Sequence, residues 1–278
     1  MSEIQCCTVS CERPLDQNYW DAQYKSKTTG WDLGAVSTPI RLYIDEQTDK
    51  NKRILIPGGG NSYEAEYLLD KGFTNITVID IAPTLVQQLQ KKFTSEERIR
   101  VVLGDFFEHQ GQYDLIIEQT FFCALPPSLR QRYVWKMHQL LADKGMLVGL
   151  LFNRSFEKGP PFGGSLPEYE ILFRDSFFTH RLDICANSVA PRANTELWFE
   201  FEKNTDVNVG LYRIDGITCS ECSKTVIQNI KALAGVKNIS LNTANTDLLL
   251  VSDAEISEDL LQQQVDSTGK YSIEKVTK

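Results

Sequence analysis

Cys219 and Cys222 stand three residues apart in the stretch GITCSEC (216–222), and two thiolates at that spacing suit a soft, low-coordinate metal ion. Cu(I) is the first choice, with Zn(II), Cd(II) or Hg(II) where further ligands join. A second constellation lies far upstream. The loop PGGGN (57–61) follows an apolar run, and Asp80 ends the next run twenty residues after Gly60. Glycines let the backbone approach a ligand at a helix start, and an acid at the second strand end can hold two ribose hydroxyls. That spacing suits an adenosine cofactor, which leaves both NAD and S-adenosylmethionine open. The loop continues Asn61-Ser62-Tyr63, so the dinucleotide fingerprint fails at its last glycine. Asp105 and Glu118 end two further apolar runs, and carboxylates around strand ends suit a ligand with a sulfonium and an ammonium but no phosphate.

These residues need a scaffold, and the pattern supplies one. From 53 to 202, runs at 53–57, 76–80, 99–105, 113–119 and 146–152 alternate with helical spacing at 62–71, 83–93 and 127–141. Alternating strands and helices predict an α/β domain: a doubly wound, mostly parallel sheet of about seven strands. A helix at 168–175 and strand-like pieces near 177–185 and 195–202 close it with a hairpin at one edge. The polar stretch 204–208 reads as a linker between a domain over 1–203 and a second over 209–278. The second unit reads strand 209–215, helix 220–234, strands 236–241 and 246–251, helix 257–267 and strand 271–276. Its βαββαβ order is that of a small α+β ferredoxin-like module.

Composition narrows the partners. The 278 residues carry 29 Lys+Arg against 37 Asp+Glu, a formal charge of −8, with no basic run, so no nucleic acid is expected. The longest apolar run, MLVGLLF at 146–152, is too short for a membrane span, and the start of the chain shows no export signal. A soluble, cytoplasmic protein follows, its seven cysteines kept reduced rather than forming a disulfide scaffold. Cys6, Cys7 and Cys11 read as incidental thiols of a loose N-terminal tail, and Cys185 as filler. His109, His138 and His180 fall in no catalytic motif and read as structural or exposed.

Several segments together resemble the thiol, halide and thiopurine S-methyltransferase family over about residues 18–202. They are YWDAQYKSKTTGWDLGAVSTP (19–39), the glycine loop, VIDIAP, GDFFEH, LIIEQTFFCALPPSLR (115–130) and KGPPFGGSLPEYEILF (158–173). The resemblance implies S-adenosyl-L-methionine as cofactor. It places Trp20, Tyr24 and Trp31 in a lid over it, Gly58 at its methionine end and Asp80 on the ribose, with Gly60 of the same loop also on the cofactor. Asp105 and Phe106 would meet the adenine, and Glu118 would face the sulfonium. Cys123 and Phe162 would lie on the substrate wall, although Cys123 reads rather as filler. The plant halide and thiol members carry Trp at Tyr24 and Tyr at Phe162, and the missing phenol points to a softer, larger acceptor than halide. Methyl transfer to a thiol needs no dedicated base, so a small thiol, or a chalcogen or metalloid species, is the expected acceptor.

Residues 209–278 resemble the heavy-metal-associated domain, whose GMTCxxC loop stands here as GITCSEC. A thioredoxin-like redox pair is the rival; its family needs a proline facing the thiols, and the last proline here is Pro191. The combined expectation is a detoxifying methyltransferase with a metal-binding module. The alternatives are a metal-trafficking protein using the methyltransferase fold as a partner platform, and a methyltransferase for another acceptor class.

Overall fold

The computed structural model describes residues 14–265 and 270–277, so the expectation for Cys6, Cys7 and Cys11 lies outside the described residues. Two helices open the chain, α1 (Gln17–Ser26) and α2 (Thr38–Glu46). Asp16 caps α1, its side chain accepting the Tyr19 N–H, and Pro39 sits in the first turn of α2. Strand and helix then alternate: β1 (Ile54–Pro57), α3 (Tyr63–Asp70), β2 (Ile76–Asp80), α4 (Pro83–Lys92), β3 (Ile99–Leu103) and β4 (Tyr113–Gln119). After them come α5 (Arg130–Leu140), β5 (Leu141–Phe152), α6 (Leu166–Phe173), β6 (Phe177–Ile184) and β7 (Glu196–Lys203). These seven strands form one sheet in the order β3-β2-β1-β4-β5-β7-β6. The first five pair in parallel, and β7 runs antiparallel between β5 and β6, the edge hairpin expected from the sequence.

All four residues of β1 and all five of β2 are buried, as strands covered on both faces require. The helix read at 127–141 is shorter: Pro127–Leu129 form a 3₁₀ turn before α5. The strand read at 146–152 is longer, because β5 begins at Leu141 directly after α5.

The remaining elements are β8 (Asn208–Asp215), α7 (Ser220–Lys231), β9 (Val236–Leu241), β10 (Asp247–Ser252), α8 (Glu258–Val265) and β11 (Ser272–Lys275). Their sheet is antiparallel in the order β11-β8-β10-β9. Tyr212, Ile214, Leu248 and Leu250 pack with Val226 and Ile230 of α7 and Leu261 of α8. The alternate residues Leu211 and Leu249 point the other way, into the core of the large sheet, with α5 between. Every residue of β10 is therefore buried. The stretch read as a linker is also tied down. Asn204 is buried, donates to Ser176 O and Asp175 O, and its carbonyl meets His138 Nε2. Its polarity serves hydrogen bonds rather than solvent.

Candidate functional site

The glycine loop follows β1, and its backbone folds back on the end of β2. Gly60 N–H faces Asp80 Oδ2 at 3.4 Å, and Ala82 N–H donates to Asp80 Oδ1 at 2.9 Å. Gly58 has φ +57°, and a Cβ there would meet the Phe121 ring, so the left-handed turn and the close approach both demand glycine. Burial pushes the Asp80 carboxyl up to about 6, while the amides of Ala82, Gly60 and Ile81 pull it back.

Asp80 lines a cavity of about 850 Å³. Trp20, Tyr24, Trp31, Gly58, Asp105 and Phe106 line it too, so seven of the residues expected to hold the cofactor converge on one space. Trp20 and Tyr24 come from α1, and each meets Trp31 edge-on, with ring centroids 5.7 and 6.0 Å apart. Burial, then the charges of Asp80 and Asp32, push the Tyr24 phenol well up. Asp105 does not end β3. It lies beyond Gly104, where it caps a 3₁₀ turn by accepting the Phe107 N–H at 2.8 Å. Gly60 lines instead a smaller adjoining recess of about 60 Å³, shared with Asp32, Asn61, Gln119 and Thr120. There the Asp32 carboxylate accepts from Asn61 Nδ2 and the Tyr63 hydroxyl.

Two expected contacts are corrected. Glu118 lines neither space: it is fully buried, and its Oε1 accepts the N–H groups of Phe121 and Phe122, both at 2.8 Å. It shapes the turn that presents Phe121, and burial pushes its carboxyl up to about 7. Phe162 likewise stands behind the wall, its N–H donating to Cys123 O, while Pro160 and Pro161 supply the surface. Cys123 does reach the cavity, a buried thiol that donates to Thr120 O at 3.3 Å and whose ionisation burial suppresses.

Arg192 went unread in the sequence because a lone Arg before a strand carries no signal. It lines the same cavity, buried, with its guanidinium on Glu196 at 3.2 Å, on Trp31 O at 2.9 Å and 5.5 Å above the Phe152 ring. The histidines stand outside the cavity as expected: His109 meets the Tyr113 hydroxyl, His138 the Asn204 carbonyl, and His180 the Glu202 carboxylate.

Cys219 caps α7 and Cys222 lies in its first turn, Cα atoms 5.2 Å apart. The Cys222 N–H points at Cys219 Sγ at 3.2 Å, where the helix end favours thiolate. The two sulfurs are joined as a disulfide, contrary to the expectation of free thiols, so the pair holds a metal only when reduced. Among the described residues no third Cys, His, Asp or Glu gathers with them into a metal-ligating group. Cys123 and Cys185 are free and buried. Among the described residues no helix is long and apolar enough to cross a membrane.

The profile of the thiopurine S-methyltransferase (TPMT) family matches residues 15–202, and that of the heavy-metal-associated domain matches residues 211–271. The chain is 31% identical over 194 residues to the probable thiol methyltransferase 2 of Arabidopsis thaliana, covering 67% of this chain and 85% of that one. It is 24% identical over 186 residues to the thiopurine S-methyltransferase of Acinetobacter baylyi, covering 59% and 86%. Among solved structures, the 1,6-didemethyltoxoflavin-N1-methyltransferase of Burkholderia thailandensis superposes with a TM-score of 0.55 at 19% identity, over 68% of this chain and 87% of that one. That likeness shows the fold alone, the seven-stranded sheet and its helices. The chain is a methyltransferase that belongs to the thiopurine S-methyltransferase family and carries a heavy-metal-associated domain behind it.

Proposed function

We propose that the large cavity binds S-adenosyl-L-methionine beside a small soft nucleophile, a thiol above all, and that the methyl group passes to its sulfur. The observation that carries this is one cavity lined by Asp80 and Asp105 together with Trp20, Tyr24 and Trp31, and by no histidine. In this reading Asp80 accepts the ribose hydroxyls, Asp105 and Phe106 border the adenine, and Asp32 meets the amino group; the support is that the first three line the large cavity and Asp32 the adjoining recess with Gly58 and Gly60. Trp20, Tyr24 and Trp31 offer ring faces and edges beside a sulfonium and shut out water. When bound, the cofactor supplies a methyl carbon that forms a bond to the acceptor sulfur as its bond to the sulfonium breaks, leaving a neutral thioether. The acceptor's proton goes to solvent beforehand, since a thiol ionises near neutral pH without a base. Arg192, its charge paired with Glu196, stands on this wall beside Leu125, Pro126, Leu129, Phe152 and Pro161.

In a mixed pool of thiols, amines and alcohols, S-methyl products should dominate by mass spectrometry, and a dominant N-methyl or O-methyl product would overturn the reading. Detoxification is the role this chemistry serves, since methylation masks a reactive soft nucleophile while the second domain takes up a soft metal. The extents we propose are 1–203 and 209–278, joined by 204–208. Reduced full-length protein should bind about one Cu(I) against a competing chelator through Cys219 and Cys222. The Cys219→Ser/Cys222→Ser double variant should bind none; unchanged stoichiometry would move the site elsewhere.

A further inference from the structure

The heavy-metal-associated domain meets the methyltransferase at the cavity's own wall. Asn242, which follows β9, is buried, and both ends of its amide are engaged. Its Oδ1 accepts the N–H groups of Thr246 and Asp247, which holds the turn into β10. Its Nδ2 donates across the interface to Ser128 O at 2.8 Å, and to Thr246 Oγ1 at 3.1 Å. Ser128 is the middle residue of the 3₁₀ turn Pro127–Leu129, and Pro126 and Leu129 line the cavity. The next residues repeat the theme. Arg130 holds Gly163 O and the Glu168 carboxylate, fixing the loop that carries Pro160 and Pro161, while Gln131 Nε2 donates to Leu241 O at 3.1 Å. Arg132 stands 3.4 Å from the Asp247 carboxylate. One short segment thus bears the acceptor wall on one side and the second domain on the other.

The same turn reaches back to the thiol pair. Asn245, at φ +57°, donates its N–H to Asn242 O at 3.0 Å. Its Oδ1 lies 3.0 Å from the Ser223 hydroxyl, which also stands 3.2 Å from the Cys219 carbonyl. Ser223 directly follows Cys222.

We propose that the acceptor wall is shared between the two domains. Asn242 is a positioning residue for methyl transfer, holding the Pro126–Leu129 wall through Ser128 O, and the Ser223–Asn245 contact ties that wall to the loop of Cys219 and Cys222. The kinetic part of this rests on the reading of the cavity's apolar end as the acceptor site. The physical ground is that Ser128 O, half-buried against Asn242, loses its partner when the donor is removed, and a turn that loses such a bond opens more often.

Full-length variants test it. Asn242→Asp keeps an acceptor for Thr246 and Asp247 but removes the donor to Ser128. It should raise the acceptor KM about five- to tenfold, with kcat and the cofactor Kd within about twofold. Amide exchange at Leu129, whose N–H bonds Pro126 O, should speed up about tenfold. Ser223→Ala should shift both readings in the same direction by about threefold. Asn238→Ala is the control, because Asn238 Nδ2 bonds Ile171 O and Arg174 O elsewhere in the same interface, and it should change neither reading. An unchanged KM and unchanged Leu129 exchange in Asn242→Asp would overturn the positioning role, as would an equal shift in Asn238→Ala, the mark of general undocking. An unmoved Ser223→Ala would overturn the tie to the thiol loop. Exchange is read without turnover, so a failed thiol acceptor is told apart from a failed contact.

Discussion

In the proposed reading Asp80 accepts the ribose hydroxyls, and its environment then gives cofactor binding a pH dependence. Burial raises its carboxyl to about 6 from the ordinary 3.8, so in the free protein it is protonated below that point and ionised above it. A raised acid contributes stability that is fully present below pH 3.8 and is lost as pH climbs through 6. Ribose hydroxyls need the ionised acceptor, so cofactor affinity should hold above pH 6 and weaken about tenfold per unit below it. Calorimetric titration of Asp80→Asn should show weaker binding with a flattened profile. Asp80→Ala should cost about 1.5–3 kcal/mol, roughly ten- to a hundredfold in Kd. Comparison with the variant is needed because Glu118 and Glu64, both buried, also sit at about 7. A profile equally steep in Asp80→Asn would assign the dependence to one of them. Asp80 was legible because twenty residues separate it from Gly60; Arg192 was not, because nothing near it in the chain marks it.

At the level of elements, the loop between β1 and α3 has the least freedom to vary. Gly58→Ala would place a Cβ against the Phe121 ring in a backbone region that L side chains avoid. The strain is about 1–3 kcal/mol, and the ring it displaces lines the large cavity. Thermal unfolding should show the lost stability, and S-adenosylhomocysteine affinity should fall by about tenfold or more. Native affinity in this variant would mean that Phe121 yields freely and the close packing is incidental. Element types were readable from hydrophobic period, but three expectations shifted. Pro127 holds 127–129 in a 3₁₀ turn ahead of α5, β5 gains residues 141–145 by pairing with β4, and Glu118 turns from the cavity to cap a backbone turn. Only β5 answers to a partner distant in sequence, the strand β4; Pro127 and the Phe121 and Phe122 amides act within a few residues, through backbone chemistry that a hydrophobic period does not register.

The whole molecule is two sheets with α5 between them. Tyr133, Met137 and Leu140 bury against the large sheet's core, yet Gln131, Lys136 and His138 on the same helix are buried as well. A helix hidden on nearly all sides needs a second cover, and Leu211 and Leu249 supply it. Leu249→Asp buries an unpaired carboxylate in that joint and should undock it. By calorimetry the native chain should unfold in one transition and the variant in two, or at a clearly lower temperature; identical traces would mean that the domains are thermodynamically independent. The residue order alone determined the two sheet patterns, the glycine loop with Asp80 and the CxxC loop, because each is encoded in short-range period or spacing, whereas Trp20, Tyr24 and Trp31 stood out only through the family resemblance. It also marked 246–251 as a strand, though not that β10 is buried on both faces. Which surface covers that second face was decided only by the tertiary structure. The bonds from Asn242 to Ser128 and from Gln131 to Leu241 join residues 114 and 110 positions apart, and contacts at that range leave no periodic trace in the chain.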